Sequence, residues 1–375
     1  MKIAVNTRLL LKDKLEGIGW FTHESLQRIV LQHPENQFYF IFDRPFSEEF
    51  VYGSNVTPVV AFPPARHPYL WYFFFEQGIP AQLRKIKPDL FLSPDGWIPL
   101  HLSDIKTVNV IHDLNFEHHP EFIKSTVLHY YQRYFHQFAQ KADRIATVSE
   151  YTRQDIHSLY KVPKDKIDVV YNGCNDYFHP LSDIEKQQIR NQYSDGCDYF
   201  LFVGLIHKRK NLDNIFKAFD DFKDKTSCKT KLLVVGDKKW WRGEIENTYN
   251  AMRHQDEVLL LGRQPSEVLA QLTASARALV YASLFEGFGI PILEAFNAET
   301  AVITSNVTSM PEVAGDAALI VDPFSVESIA NAMQMLWKDD ALCQNLIAKG
   351  RIRRENFSWQ QTSEKLWQTI LKTIG

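Results

Sequence analysis

The sequence predicts an α/β protein of two Rossmann-like domains facing each other across a cleft. Short β-branched and aromatic runs alternate with longer amphipathic stretches, the pattern of a parallel sheet covered by helices. The series of strand candidates starts twice along the chain. At 375 residues the chain also exceeds the usual size of a single domain.

The first series comprises Lys2 to Thr7, Phe38 to Asp43, Thr57 to Phe62, Asp89 to Ser93, Thr107 to His112, Arg144 to Ser149 and Ile167 to Tyr171. The second comprises Tyr199 to Leu205, Lys231 to Gly236, Val258 to Gly262, Ala278 to Ala282, Ala301 to Thr304 and Ala318 to Val321. A polar stretch from Asn175 to Asp198 separates them, so the boundary is expected near residue 180, with domains over 1–180 and 181–357. Residues 358–375 form a last helix, in which Trp359, Leu366, Trp367 and Ile370 recur at helical spacing and must dock on a partner surface.

Hydrophobic residues make up 45% of the chain and charged residues 23%, which supports more than one packed core and excludes a disordered chain. A net charge of −3 argues against a nucleic-acid partner, which a basic excess ordinarily serves. The four cysteines, Cys174, Cys197, Cys228 and Cys343, show neither metal-ligand spacing nor a disulfide framework, as expected in a reducing compartment. The first residues, Met1 to Asn6, read as a buried strand and not as a signal peptide, which points to the cytoplasm. No apolar run reaches the roughly 20 residues needed to span a bilayer. Any membrane contact is therefore peripheral, from the inner surface. The aromatic run Tyr69 to Phe75 with the basic segment Gln82 to Lys87 suits an anionic interface, and equally a packed helix with a solvated basic end.

Ligands of open parallel sheets sit beyond the carboxyl ends of the strands, so the loops that leave those ends carry the candidate chemistry. The most informative is Glu286-Gly287-Phe288-Gly289-Ile290-Pro291-Ile292-Leu293-Glu294. Its glycines let the backbone approach a ligand, and Pro291 suits the first turn of a helix starting near Ile290. The free N–H groups of that turn, with Phe288, Gly289 and Ile290 before and in it, make a site for a diphosphate or for sugar oxygens. Two glutamates at this spacing are ordinarily solvated surface groups. The glycines, the proline and the strand-end position point instead to function.

Lys208-Arg209-Lys210-Asn211 follows the strand that ends at Gly204 and Leu205. Asn211 is a suitable cap for the amphipathic run Leu212 to Phe219. Three cations before a helix N-terminus cost up to about 1 kcal/mol each unless an anion is present. A bound diphosphate would turn that cost into affinity, with Lys210, nearest the cap, as the contact. The alternative is a solvated basic turn. In the first half, Glu16-Gly17-Ile18-Gly19-Trp20-Phe21 precedes a helix expected from about Thr22, and Gly17 and Gly19 suit either a flexible wall over a sugar phosphate or a tight turn. Thr22 stands where a dinucleotide fingerprint needs a third glycine, so NAD is disfavoured.

His112-Asp113 closes a strand, where an imidazole bonds a sugar hydroxyl, supports a leaving phosphate, or serves structure alone. His118 and His119 follow on the next loop without a spacing that completes a metal site with His112. No Asp-x-Asp pair occurs in the chain, so cationic side chains and a helix end have to neutralise a diphosphate without a metal.

Together these segments resemble the group 1 glycosyltransferases, also called family 4, of the GT-B fold. Ile111-His112-Asp113-Leu114, Thr147-Val148-Ser149-Glu150-Tyr151-Thr152 and Met310-Pro311-Glu312-Val313-Ala314-Gly315-Asp316-Ala317-Ala318 extend the resemblance over nearly the whole chain. It implies a retaining, metal-independent transfer of a hexose from a GDP- or UDP-linked sugar to a saccharide or lipid-linked acceptor, in cell-surface polysaccharide or glycolipid synthesis. No cofactor besides the donor is implied. Glu294 would bond the ribose, Glu286 and the Gly287 to Ile290 backbone the hexose, and Lys210 with Arg209 the diphosphate. His112 would lie beside the sugar, the first domain would serve the acceptor, and the last helix would cross back onto it. The Arg209-Lys210-Asn211 turn is similar to that of members using mannose donors. The chain departs from the family at Leu205, where many members carry an arginine, and at Asn297-Ala298-Glu299, where many carry Ala-Cys-Gly. A nucleotide-sugar epimerase or hydrolase of the same fold, or a non-enzymatic sugar-nucleotide-binding module, are the rival readings.

Overall fold

The computed structural model describes residues 1–102, 104–238 and 241–375 and divides the chain into two compact units, Met1–Gly173 with Ser358–Gly375, and Cys174–Phe357. Every expected strand is present, and several end one or two residues earlier than their apolar runs because the last residues turn out of the sheet.

In the first unit β1 (Lys2–Asn6), β2 (Gln37–Phe42), β3 (Val56–Val60), β4 (Leu90–Ser93), β5 (Lys106–Ile111), β6 (Arg144–Thr147) and β7 (Ile167–Val169) form one parallel sheet in the order β3-β2-β1-β4-β5-β6-β7. Val5 of β1 is in register with Phe40 on one side and Leu92 on the other, and all three are fully buried. A sheet covered on both faces requires such continuous apolar runs, which is why the strands do not alternate with polar residues. The first long helix spans Gly17–Gln32, so it starts at Gly17 and not near Thr22, placing both glycines in its first turn. The aromatic run forms a helix, Pro68–Phe73, and a π-helical turn, Phe74–Gly78; Phe74 and Phe75 are core residues while Tyr69 and Phe73 stay exposed.

The last helix, Trp359–Ile374, belongs to the first unit and buries Trp359, Leu366, Trp367 and Ile370. His33 stacks on Trp367 at 3.9 Å, and Thr362 Oγ1 donates to the Tyr171 carbonyl at 2.6 Å. The chain leaves the first unit after Gly173, ahead of residue 180, because a contact fixes that point. A Cβ on Gly173 would lie 2.2 Å from the Trp359 nitrogen, so only glycine lets the outgoing and returning segments touch.

In the second unit β8 (Tyr199–Val203), β9 (Lys231–Val235), β10 (Val258–Gly262), β11 (Ala278–Tyr281), β12 (Ala301–Ser305) and β13 (Leu319–Val321) are parallel in the order β10-β9-β8-β11-β12-β13. Phe200, Phe202, Val280 and Ile303 pack under the helix Leu212–Thr226, whose Ile215, Phe216, Phe219 and Phe222 recur at helical spacing. Tyr199, Leu201, Leu233 and Val235 form a second core on the opposite face. The strand order reverses between β8 and β11, as it does between β1 and β4 in the first unit. At such switch points the loops diverge and leave a crevice at the carboxyl ends of the strands.

The departure at Asn297-Ala298-Glu299 has a local solution. Glu299 ends its helix at φ 55°, a left-handed conformation that suits glycine better. Its carboxylate pairs with Arg351 and lies 4.0 Å from Arg354, whose guanidinium also donates to the Asn297 carbonyl at 3.1 Å.

Candidate functional site

The second unit's switch point is built from the loops after β8 and β11. After β8, Gly204 has φ 150° and its carbonyl lies where a Cβ on Gly236 would come within 1.8 Å, so the two strand ends approach through paired glycines. A Cβ on Gly204 itself would meet the Lys210 stem at 3.3 Å, so this glycine makes room for the lysine. The turn Lys208–Lys210 is a 3₁₀ turn whose cap is His207, with Nδ1 accepting from the Arg209 N–H at 3.2 Å. Asn211 does not cap the following helix with its side chain. It takes φ 60°, which swings its amide into the sheet edge to donate to the carbonyls of Ala282 at 2.9 Å and Pro323 at 2.7 Å. Two otherwise buried carbonyls outweigh a helix cap there.

The loop after β11 is fixed against this turn. Leu284 donates its N–H to the Arg209 carbonyl at 2.8 Å, and Ser309 Oγ donates to the carbonyls of Glu286 and Phe288, both at 2.9 Å. The Glu286 N–H donates to Thr308 Oγ1 at 3.3 Å. Gly289, at φ 106°, then opens the helix Ile290–Asn297, with Pro291 in its first turn as the sequence requires.

These loops bring Lys210, Arg209, Glu286 and Glu294 to one edge. Lys210 Nζ donates to Glu286 Oε1 at 2.6 Å and to the Tyr281 hydroxyl at 2.7 Å, while Arg209 Nη1 lies 2.7 Å from Glu286 Oε2. Lys210 is 8% exposed and Glu286 7%, so the ion pair is sheltered from water. The anion that the basic turn needs is thus present in the chain itself, which corrects the expectation of a turn awaiting a bound anion. Lys208 takes no part and pairs at the surface with Glu244 at 3.3 Å.

Electrostatics drive the two glutamates apart. Burial pushes the Glu286 carboxyl up, but Arg209 and Lys210 outweigh it and hold the group at about 2. Burial pushes Glu294 up to about 7, only partly offset by Lys210. Glu286 is therefore ionised at neutral pH while Glu294 titrates there.

In the first unit His112 follows β5, and its Nε2 lies 2.8 Å from the Pro94 carbonyl. A carbonyl only accepts, so Nε2 carries the proton and Nδ1 is left as an acceptor. Burial lowers the imidazole below its ordinary range and keeps it neutral. It meets Phe21 in a T-shaped contact, ring centroids 5.0 Å apart, on the helix that Gly17 and Gly19 open. Gly19 is confined, with 3.1 Å between a Cβ and the Leu9 carbonyl, whereas nothing lies within 4 Å at Gly17. His118 bonds Asp155 at 2.8 Å and His119 bonds Glu121 at 3.0 Å.

Two features, one in each unit, carried no motif. Tyr281 holds Lys210, and its place as the last residue of a strand was the available signal. Arg8 forms a buried ion pair with Asp95 and lies 5.4–5.8 Å from the rings of Phe75, Trp71 and Trp97. Asn6 also donates to Asp95 at 2.8 Å. These bonds anchor the segment whose Pro94 carbonyl orients His112. Arg8 and Asp95 each stand two residues beyond a strand end.

The family model described as Glycosyl transferases group 1 matches residues 183–353, and that described as Glycosyltransferase Family 4 matches residues 36–177. The O-antigen chain mannosyltransferase B of Escherichia coli is 28% identical over 374 residues, covering 96% of this chain and 97% of that protein. The O-antigen chain mannosyltransferase RfbU of Salmonella typhimurium is 27% identical, covering 71% and 70% respectively. Among solved structures, the sucrose-phosphate synthase of Thermosynechococcus elongatus has a TM-score of 0.80 at 18% identity over 99% of this chain and 98% of that one. Anabaena HepE in complex with UDP-glucose has a TM-score of 0.77 at 14% identity over 99% of this chain and 100% of that one. Two parallel Rossmann-like sheets, a last helix returned to the first unit and two family models that between them span most of the chain agree: this chain belongs to the group 1 glycosyltransferases, family 4, and is a glycosyltransferase of the GT-B fold.

Proposed function

We propose that the chain is a retaining, metal-independent hexosyltransferase that takes a hexose from a nucleotide-diphosphate sugar and passes it to a saccharide or lipid-linked acceptor of a cell-surface polysaccharide or glycolipid. One observation carries the reading: Lys210, Arg209, Glu286, Glu294 and the N-terminus of the helix Ile290–Asn297 meet at the switch point of the second sheet. The second unit then binds the nucleotide sugar and the first serves the acceptor. Mannose is the donor hexose favoured by the relatives named as mannosyltransferases.

In this reading Lys210 and Arg209 face the diphosphate, Glu286 and the Gly287 to Ile290 backbone face the hexose, and Glu294 accepts from the ribose hydroxyls. The bond from the anomeric carbon to the phosphate oxygen breaks with its electron pair on the phosphate. The acceptor oxygen bonds the same face of that carbon, and its proton passes to the departing phosphate oxygen. The enzyme's main contribution is to stabilise charge growing on the diphosphate. On the first unit, the neutral His112 offers Nδ1 to a sugar hydroxyl. The protein works in the cytoplasm. Peripheral contact with an anionic membrane surface would use the exposed Phe62, Tyr69 and Phe73 and the exposed Arg84, Lys85 and Lys87. Sedimentation with anionic vesicles at low salt is expected to carry the protein down, and its retention in the supernatant would exclude this contact.

Lys210→Ala and Glu294→Gln should damage donor use differently. Loss of Lys210 removes an interaction that grows in the transition state, so turnover at saturating donor falls at least about tenfold. Loss of the Glu294 charge removes ribose binding of equal strength in both states, so the donor KM rises with little change in turnover. Steady-state kinetics on variants that keep the parent's melting temperature separate the two. An unchanged turnover in Lys210→Ala refutes the phosphate assignment.

The raised Glu294 carboxyl makes donor binding pH-dependent. Ribose hydroxyls favour the ionised acceptor, and the phosphates of a nucleotide sugar stay ionised across this range. Donor affinity therefore rises with pH through about 7. Calorimetry is expected to show binding about tenfold weaker at pH 6 than at pH 8, and a flat profile for Glu294→Gln. A sloping profile in that variant assigns the titration elsewhere.

Because cationic side chains and a helix end can carry the diphosphate, turnover should survive excess EDTA. Activity lost in EDTA and restored by magnesium or manganese contradicts the metal-independent reading.

A further inference from the structure

Both cations assigned to the diphosphate are engaged, in the structure, by a carboxylate of the same chain. We propose that Glu286 is a built-in competitor for the diphosphate: it holds Lys210 and Arg209 in the unliganded site, yields them when a nucleotide diphosphate enters, and is satisfied again only when that nucleotide carries a sugar. Glu286 thereby sets the preference of the site for a nucleotide sugar over the free nucleotide. The inference rests on the nucleotide-sugar reading above and deepens it.

Each oxygen of the carboxylate has its own cation. Oε1 accepts from Lys210 at 2.6 Å, and Oε2 lies 2.7 Å from Arg209. A diphosphate oxygen that approaches either cation meets an anion already in place, so its entry is an exchange of partners and not a simple gain. The displaced carboxylate is poorly placed to turn to water, because only 7% of Glu286 is exposed. A buried carboxylate stripped of its cations is strongly disfavoured. Hexose hydroxyls are donors that replace those cations, whereas a bare nucleoside diphosphate brings none.

The surroundings allow this exchange by side-chain rotation. The Glu286 backbone is pinned on both sides, its N–H to Thr308 and its carbonyl to Ser309 at 2.9 Å. The Lys210 stem crosses Gly204, where no side chain blocks it, and its Nζ rests on the Tyr281 hydroxyl at 2.7 Å, 4.7 Å from that ring's centre. Tyr281 thus completes the resting seat of the lysine. The same competition acts after transfer. The product nucleotide has lost its sugar, so Glu286 recaptures Lys210 and Arg209 and the product is held weakly.

The test is the affinity of the full chain for GDP and for UDP, measured by calorimetry on the parent, Glu286→Gln and Tyr281→Phe. Glu286→Gln keeps the shape of the side chain without its charge. It should bind the preferred nucleoside diphosphate about tenfold more tightly than the parent, the size expected for release from a charge-assisted hydrogen bond. Its consumption of nucleotide sugar should fall at the same time. Tyr281→Phe removes the hydroxyl that accepts from Lys210 and bonds the Glu286 carboxylate while leaving that charge in place, so it loosens the resting pair and should shift affinity in the same direction by a smaller factor, and it decides the matter should Glu286→Gln fail to fold. Adding Lys210→Ala to Glu286→Gln should abolish the gain. Folded variants that bind GDP and UDP no more tightly than the parent overturn the proposal and leave the glycosyltransferase reading intact. If neither nucleotide binds the parent or any variant, the nucleotide reading fails and the competition falls with it.

Discussion

The contact among Glu286, Lys210 and Arg209 organises the second unit's functional edge. The turn after β8 would otherwise place two cations beside each other near the positive end of the helix Leu212–Thr226. Glu286 neutralises that arrangement and ties the loop after β11 to the turn after β8. The supporting bonds serve the same end. Leu284 reaches the Arg209 carbonyl, Asn211 reaches across to Ala282 and Pro323, and Ser309 holds the carbonyls of Glu286 and Phe288. Glycines at 204 and 236 let the strand ends approach closely enough for these bonds to form.

A buried ion pair of this kind is weak evidence for stability, since desolvation offsets much of the Coulomb attraction. Its value here lies in preorganisation. The pair holds the turn after β8 and the loop after β11 against each other before any ligand arrives. Glu294 shows the converse case. It lies in the helix Ile290–Asn297, where Lys210 only partly offsets burial, so desolvation prevails and its carboxyl rises to about 7. Two carboxylates in one segment are thereby given different protonation states by their neighbours alone.

The first unit repeats the logic with different groups. Asp95 gathers Arg8 and Asn6 beyond the ends of β1 and β4, and that fixes the segment whose Pro94 carbonyl selects the His112 tautomer. The returning helix Trp359–Ile374 closes the far side of this unit through Trp367 on His33 and Thr362 on the Tyr171 carbonyl.

Much of this was legible in the sequence because it depends on local periodicity. Apolar runs located all thirteen strands of the described residues, Pro291 located the helix start at Ile290, and the spacing of Trp359, Leu366, Trp367 and Ile370 required the last helix to dock. The identity of the candidate loops followed from their place at strand ends. What the sequence could not determine were contacts between residues far apart in the chain. Lys210 and Glu286 are 76 positions apart, and only the order β8-β11 brings them within a hydrogen bond. For the same reason the basic turn read as a group of uncompensated cations, Asn211 read as a helix cap, and Tyr281, Arg8 and Asp95 carried no signal as partners. Gly17 and Gly19 read as a loop because a glycine's local preference is against helix, and packing of the Gly17–Gln32 helix against the last helix overrides it. Residue type and spacing therefore determined which groups reach the edge of each sheet, and strand order determined which of them meet and in what charge state.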